Sequence, residues 1–287
     1  MDDLNRALLA WLETWLPITE LWRGLRYAIG IGAACMAILV VFERRAGVSL
    51  EQYASRRFFT DVLYRLAFVV YIVMLYTPLS VATREAFPWM RVELLSSAPL
   101  WIGIPAYLLI FDFLSYWIHR AQHSRVWWRF HRVHHSQEQL TFATGYRNHP
   151  IDQAFAHTVT FIPLLLLGTP AVSWLPYSFL LAFIDATHHA NLPWRFGWAR
   201  KILVSPVFHA THHSTDPAVR DTNFGGLFSF WDFLFGTAVD AERRPERTGV
   251  EGWRVRERWL SHLVSPFRRD AVVEGAGANV RAATERE

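Results

Sequence analysis

A single cysteine, Cys35, and a single lysine, Lys201, are all that the 287 residues hold of those two types. One thiol, set inside an apolar run, leaves no disulfide framework and no thiolate cluster for zinc or an iron–sulfur centre. All but one of the 29 basic residues are arginine, scattered among apolar stretches. That pattern points to positive-inside charge and phosphate head groups and away from nucleic acid as a partner. Charge is scarce altogether: 19% of residues are charged, against 52% hydrophobic and 15% aromatic, a membrane-protein composition. Neither a zinc-protease HExxH motif nor a haem-binding His-Pro-Gly-Gly segment occurs. The N-terminus opens with Asp2 and Asp3 and lacks a basic region before a compact apolar core, so no cleavable leader is expected.

What is present reads as helices. Residues 1–26 form an amphipathic, interfacial segment: Leu8, Leu9, Trp11, Leu12, Trp15 and Leu16 recur at helical spacing, and Trp11, Trp15 and Trp22 suit a membrane interface. Uncharged runs follow at 27–42, 66–83 and 94–111, each near the roughly 20 residues that cross a bilayer. A fourth, 153–184, would be about 48 Å long as one helix, too long for the hydrocarbon core. Folded at Gly168-Thr169-Pro170, it becomes a hairpin of two arms that enters and leaves by one face. Arg44, Arg45, Arg56 and Arg57 crowd the loop after the first run, whereas Glu85 and Glu93 offset Arg84 and Arg91 in the next. The first loop is therefore expected on the cytoplasmic side. The organisation expected is an interfacial segment at 1–26, transmembrane helices at 27–118, a histidine-rich region at 119–240 containing the hairpin, and a polar tail at 241–287 whose end from Gly275 looks disordered.

Twelve of the thirteen histidines lie between positions 119 and 213. His119 and His123 are spaced i, i+4, one turn apart on one helical face, a geometry by which two imidazoles reach one ion. His131, His134 and His135 are spaced i, i+3, i+4, and His209, His212 and His213 repeat that pattern. His188 and His189 close the hairpin, with Asp185 one turn earlier. With one ligand taken there, His189, nine imidazoles result, too many for one ion that keeps room for oxygen, so two metals are implied. Clustered imidazoles repel when protonated and call for a cation. His157, in the apolar run, and His262, in the tail, read as ordinary histidines; His149 is intermediate. Imidazole suits zinc, copper and iron alike. Mostly neutral nitrogen ligands just below membrane spans, fed from an apolar cavity, suit oxygen activation at an unactivated C–H bond. The alternative is a membrane zinc metalloprotein, a hydrolase or a metal-binding scaffold, without oxygenase activity.

The ordered combination resembles the fatty acid hydroxylase and sterol desaturase superfamily. The resemblance runs over 110–237: the HxxxH box, the first HxxHH box, then Arg147, His149 and Pro150, His189-Ala190-Asn191, the second HxxHH box, Asp221, Asn223, Phe224, Gly225, and 231–237 from Trp231 to Thr237. It implies an all-α integral membrane protein, about four membrane-embedded helices under a cytosolic helical cap carrying a histidine-rich dimetal site. It implies two iron ions, O2 as co-substrate, and hydroxylation or desaturation of a lipid, with acyl chain, sterol, carotenoid and ether lipid all open. Electrons are expected from an external reductase with a ferredoxin or cytochrome b5-like carrier. His119, His123, His131, His134, His135, His189, His209, His212 and His213 are the implied ligands. His188, His149, Asp185, Asn223 and Asp232 are candidates for binding metal or for orienting the ligands. Some relatives carry a histidine where this chain has Asp185. Tyr146, Arg147 and Asn148 could meet a lipid head or support the site.

Overall fold

A computed structural model describes residues 18–90, 92–168, 174–253 and 255–268. The described residues are helical, with two isolated bridges and no strand. Three helices are long and apolar enough to cross a membrane, and the chain is a membrane protein. The first, α1 (Ile18–Arg45), has 28 residues, about 42 Å at 1.5 Å per residue. It starts earlier than the apolar run because the amphipathic stretch from Ile18 to Arg26 continues it without a break; residues 1–17 of the expected interfacial segment lie outside the described residues. The second span is α2 (Arg56–Tyr71), continued through a π-helical turn at Ile72–Tyr76 into α3 (Thr77–Ala86). Ser55 starts it by accepting from the backbone N–H of Phe58, a conventional N-cap.

The third span is shifted from its apolar run. Residues Leu94–Ser97 form a separate short helix, and the chain re-enters helix only after Pro99, as α4 (Leu100–Gln122). Proline disfavours helical backbone in the residue before it and supplies no N–H, so the break falls there. The later start carries the helix further, and His119 rides on its last turn. α5 (Trp128–His135) follows. The fourth run is two helices, α6 (Pro150–Leu167) and α7 (Trp174–His189), of 18 and 16 residues, with Gly168 ending the first at φ 79°. Thr169 and Pro170 of the expected turn lie outside the described residues. α6 packs most extensively on α4, and α7 on α1 and on α8 (Pro206–His212). The short helices α9 (Phe230–Phe235) and α10 (Trp259–Val264) complete the cap.

Cys35 and Leu39 of α1, Phe58 of α2, Phe142, Ala143, and Ala186 and Ala190 at the end of α7 form one buried cluster that ties spans to cap. A polar clamp reinforces it. The buried carboxylate of Glu43 accepts from Tyr53 Oη (2.6 Å), Gln52 Nε2 (3.3 Å) and the backbone N–H of Asn191 (2.8 Å). Opposite, Arg244 Nη1 donates to the carbonyl of Ala190 at 2.8 Å. The segment after residue 240 is thus no solvated tail as far as residue 268; residues 269–287 lie outside the described residues. His262, read from sequence as part of that tail, is fully buried and stacks on Tyr64 with ring centroids 6.1 Å apart.

Candidate metal site

Arg147 organises the floor of the site. Fully buried, its guanidinium donates to Asp61, to Glu257 Oε1 (2.6 Å) and to Ser136 Oγ (3.2 Å), joining α2, the end of α5 and the C-terminal segment. Gln137 Nε2 donates to the other oxygen of Asp61 at 2.7 Å. Buried charge survives only where it is paired and hydrogen-bonded, as here. Arg147 is therefore cap support and not a contact for a lipid head.

On this floor the nine histidines of the three boxes and His189 form two groups. His119, His123, His131, His135 and His212 make the first; His134, His189, His209 and His213 make the second, and in each the candidate ligand atoms lie within 4.8 Å of one another. Each HxxHH helix divides its histidines between groups: α5 gives its i and i+4 residues to the first and its i+3 residue to the second, while the box at 209–213 does the reverse. The groups abut, with the rings of His135 and His213 stacked 4.4 Å apart.

Outward-facing nitrogens of four rings in the first group are anchored. His119 Nδ1 donates to the Phe224 carbonyl (2.8 Å) and His212 Nδ1 to that of Thr222 (2.7 Å); His123 Nδ1 meets Asp221 (2.9 Å) and His131 Nδ1 meets Asp152 (2.8 Å). The Nε2 atoms of all five rings are buried without a hydrogen-bond partner. With the proton on Nδ1, each anchored ring turns a lone pair inward. In the second group His189 Nδ1 donates to the Asp185 carbonyl, so its Nε2 lone pair faces His209 Nε2 at 2.9 Å, and His213 Nε2 lies 3.2 Å from His209 Nε2. Burial first, and the neighbouring imidazoles second, hold His134, His135, His209 and His213 well below the ordinary histidine range. Converging imidazoles, those of the first group with no partner for their Nε2 atoms, fit bound divalent metal and are costly without it.

The candidates for an orienting role separate. Asn223 and Asp232 touch no histidine. They brace the loop that does: Asn223 Nδ2 donates to the carbonyls of Phe208 and Val239, and Asp232 accepts from the backbone N–H groups of Phe224 and Gly225 at 2.7 and 2.8 Å. Asp221 and Asn223 both take left-handed backbone, φ 58°, which aims the Thr222 and Phe224 carbonyls at His212 and His119. A Cβ on Gly225 would lie 2.5 Å from the Phe228 carbonyl, so the loop requires glycine there. His149, His188 and Asp185 belong to neither group. His149 caps α6, accepting from Ile151 N and donating from Nε2 to the Leu263 carbonyl at 3.0 Å. His157 packs among Phe68, Tyr71 and Tyr76. Sequence reading missed Asp152 as a histidine partner. Its signal is that it is the lone acidic residue between Glu138 and Asp185, at the head of an apolar run.

A cavity of about 270 Å³ borders the first group through His119 and His131, between α4, α6 and the end of α7. The apolar feed expected from sequence is corrected here. Ile118, Ala156 and Phe224 line the cavity, but so do Ser115, Gln122, Asn148, Gln153, Thr160 and Asp185. Helix α6 is apolar on average, and of its polar residues Asp152, His157 and Thr160 are buried while Thr158 is exposed.

Residues 104–237, which hold every histidine of the two groups, match the fatty acid hydroxylase family model. An ornithine lipid hydroxylase of Rhizobium tropici is 37% identical over 165 residues, 56% of this chain and 49% of that protein. An alkylglycerol monooxygenase of Danio rerio is 34% identical over 127 residues, 44% and 28% of the two chains. A very-long-chain aldehyde decarbonylase of Oryza sativa subsp. indica is 26% identical over 209 residues, 67% and 31%. The chain thus spans less than half the length of each of these relatives, and no solved structure matches it. The two imidazole groups fall within the matched segment, and over residues 104–237 the chain is similar to the fatty acid hydroxylase family.

Proposed function

We propose that this protein is a multi-pass membrane oxygenase that hydroxylates a lipid C–H bond at a histidine-ligated diiron centre. The observation that carries the reading is the pair of abutting imidazole groups, nine rings whose candidate ligand atoms converge within each group, with the Nε2 atoms of all five rings of the first group lacking a hydrogen-bond partner. His119, His123, His131, His135 and His212 would hold one ion; His134, His189, His209 and His213 would hold the other. Iron bound there supplies the redox chemistry that activates oxygen. Overall, a C–H bond, O2, two electrons and two protons become C–OH and water, so an external reductase with a ferredoxin or cytochrome b5-like carrier is required. The chain's residues do the rest: carbonyls and carboxylates fix each imidazole tautomer, the buried cap excludes water, and the cavity at His119 and His131 aligns the substrate. Hydroxylation is favoured over desaturation because the relatives from R. tropici and D. rerio are named a hydroxylase and a monooxygenase.

The cap belongs on the cytoplasmic side in this reading. Arg44, Arg45, Arg56 and Arg57 sit at the same end of the spans as the cap, and Arg57 pairs with Glu138 just beyond α5. The test is metal analysis of anaerobically purified protein, together with oxygen uptake and lipid product formation when reductase and carrier are added. About two irons per chain and a hydroxylated lipid are expected. Fully active protein containing one non-redox ion would refute it.

A further inference from the structure

The cavity beside the first imidazole group is built for something other than an alkyl chain. Ser115, Gln122, Asn148, Gln153, Thr160 and Asp185 line it, and although Asn148 Nδ2 is held by the Gly145 carbonyl and Gln153 Nε2 by His157, a hydrocarbon tail would return no bond to the polar groups that remain. Asp185 is its one carboxylate, and 41% of that side chain remains accessible although it lies deep in the protein. Its carboxylate rests on the Cα of Gly145, where any Cβ would collide with it, so the backbone has been kept bare to seat it.

No lysine or arginine of the described residues forms an ion pair with this group, although Arg65 lies close enough to favour its charge. The nearest imidazole nitrogen, His189 Nδ1, is 3.5 Å away and already gives its proton to the Asp185 backbone carbonyl at 2.9 Å. Arg65 is turned aside, donating from Nε to the Ala28 carbonyl at 3.0 Å and lying over the Tyr146 ring. A carboxylate with lone pairs facing a polar cavity, one wall of which is the candidate metal group, is a receptor for a donor cation.

We infer that the part of the lipid held against the first group is a cationic, hydrogen-bonding head whose ammonium is received by Asp185, so that the bond oxidised lies in or beside the head and not in the acyl tail. This rests on the oxygenase reading above and specifies its substrate class. Asp185 is a specificity-determining residue here, with Asn148 and Gln153 as flanking partners.

The test uses three probes with the full-length protein in detergent: a long-chain N-acyl diamine with a free terminal amine, the same molecule N-acetylated, and a free fatty acid. In metal-loaded protein with reductase and carrier, N-acetylation is expected to raise KM by about 10–100-fold, the worth of one charge-assisted hydrogen bond. Retention of the probes by metal-free protein in native mass spectrometry should follow the same order. Asp185→Asn, with metal content equal to wild type, should remove the discrimination between amine and acetamide in KM and in the retention order alike. Equal handling of amine and acetamide by wild-type protein, or preference for the fatty acid, overturns the inference and leaves the oxygenase intact. Oxidation of none of the probes counts against the oxygenase, and the retention order then decides the question of the head on its own.

Discussion

Oδ2 of Asp152 stands 2.8 Å from Nδ1 of His131, and the two side chains are 0% and 4% exposed. A carboxylate there makes the imidazole a stronger donor to whatever its other nitrogen holds. Asp152→Asn preserves shape and removes the charge, and is expected to weaken metal binding at the first group by about 10–100-fold while sparing the second. Competition titration with a chelator reads this directly. Asp221→Asn, opposite His123 but 47% exposed, should have a smaller effect, because water already screens that pair.

The division of each HxxHH box between the groups separates two substitutions that look alike in sequence. His212→Ala should cost the ion of the first group and His134→Ala that of the second, each lowering metal content from about two per chain toward about one. Neither should retain normal product formation. His157→Ala, among three aromatic rings, should keep both ions and cost only packing, about 1–3 kcal/mol. Metal counting at matched levels of folded protein checks all three; full metal in both box variants would show that the histidines are not ligands.

Much of this was legible before any coordinates. Spacing at i, i+3, i+4 and at i, i+4 marked eight imidazoles, and the His188-His189 pair offered a ninth; those eight and His189 are gathered in the fold, because helical geometry is local and sequence displays it. How the boxes share two groups was not legible, since that depends on how α5 and α8 face each other across the cap. Asp152 was overlooked, and Asp221 was noted only as part of the resemblance and not as the partner of His123, for a related reason: each lies apart from its histidine along the chain, and only packing brings them together. The start of α4 was misjudged because hydropathy does not register Pro99. Nor does an average over α6 reveal that Gln153, Ala156 and Thr160 line a cavity.

His262 predicts a pH response of its own. Burial, and then the charge of Arg147, hold its pKa at about 3, below the ordinary histidine value of 6.5. The unfolded chain therefore binds a proton that the folded one refuses, so this contribution is complete above pH 6.5 and shrinks as pH falls toward 3. His262→Phe keeps the stack on Tyr64 and removes the titration. Its thermal midpoint should fall less steeply than that of wild type between pH 6.5 and 4.5, measured with metal-free protein of both kinds.

Breaking the Arg147 cluster should be severe. Arg147→Met leaves Asp61 buried without its cation, a loss of about 3–5 kcal/mol, and Arg147→Lys should recover little because one ammonium cannot reach Asp61, Glu257 and Ser136 together. Thermal unfolding in detergent measures both.

Sidedness is open to labelling, since the one native thiol, Cys35, is buried. Val126→Cys and Asp216→Cys, both at exposed positions around the cap, should react from the cytoplasmic side, and Trp89→Cys from the opposite side. Reaction of Val126→Cys and Asp216→Cys from different sides would break the shared-site arrangement.

The splitting of the boxes also sets an order of events during synthesis. The last residue of the first group is His212 and that of the second is His213. A growing chain therefore completes neither set until both α6 and α7 have left the ribosome and settled against α4 and α1, and then it completes both within one residue of each other. The two sets are unequal before that point: four imidazoles of the first precede α6, whereas the second has only His134 until α7 is made. The second ion therefore depends on the completed hairpin, and its loading reports that membrane insertion has already succeeded.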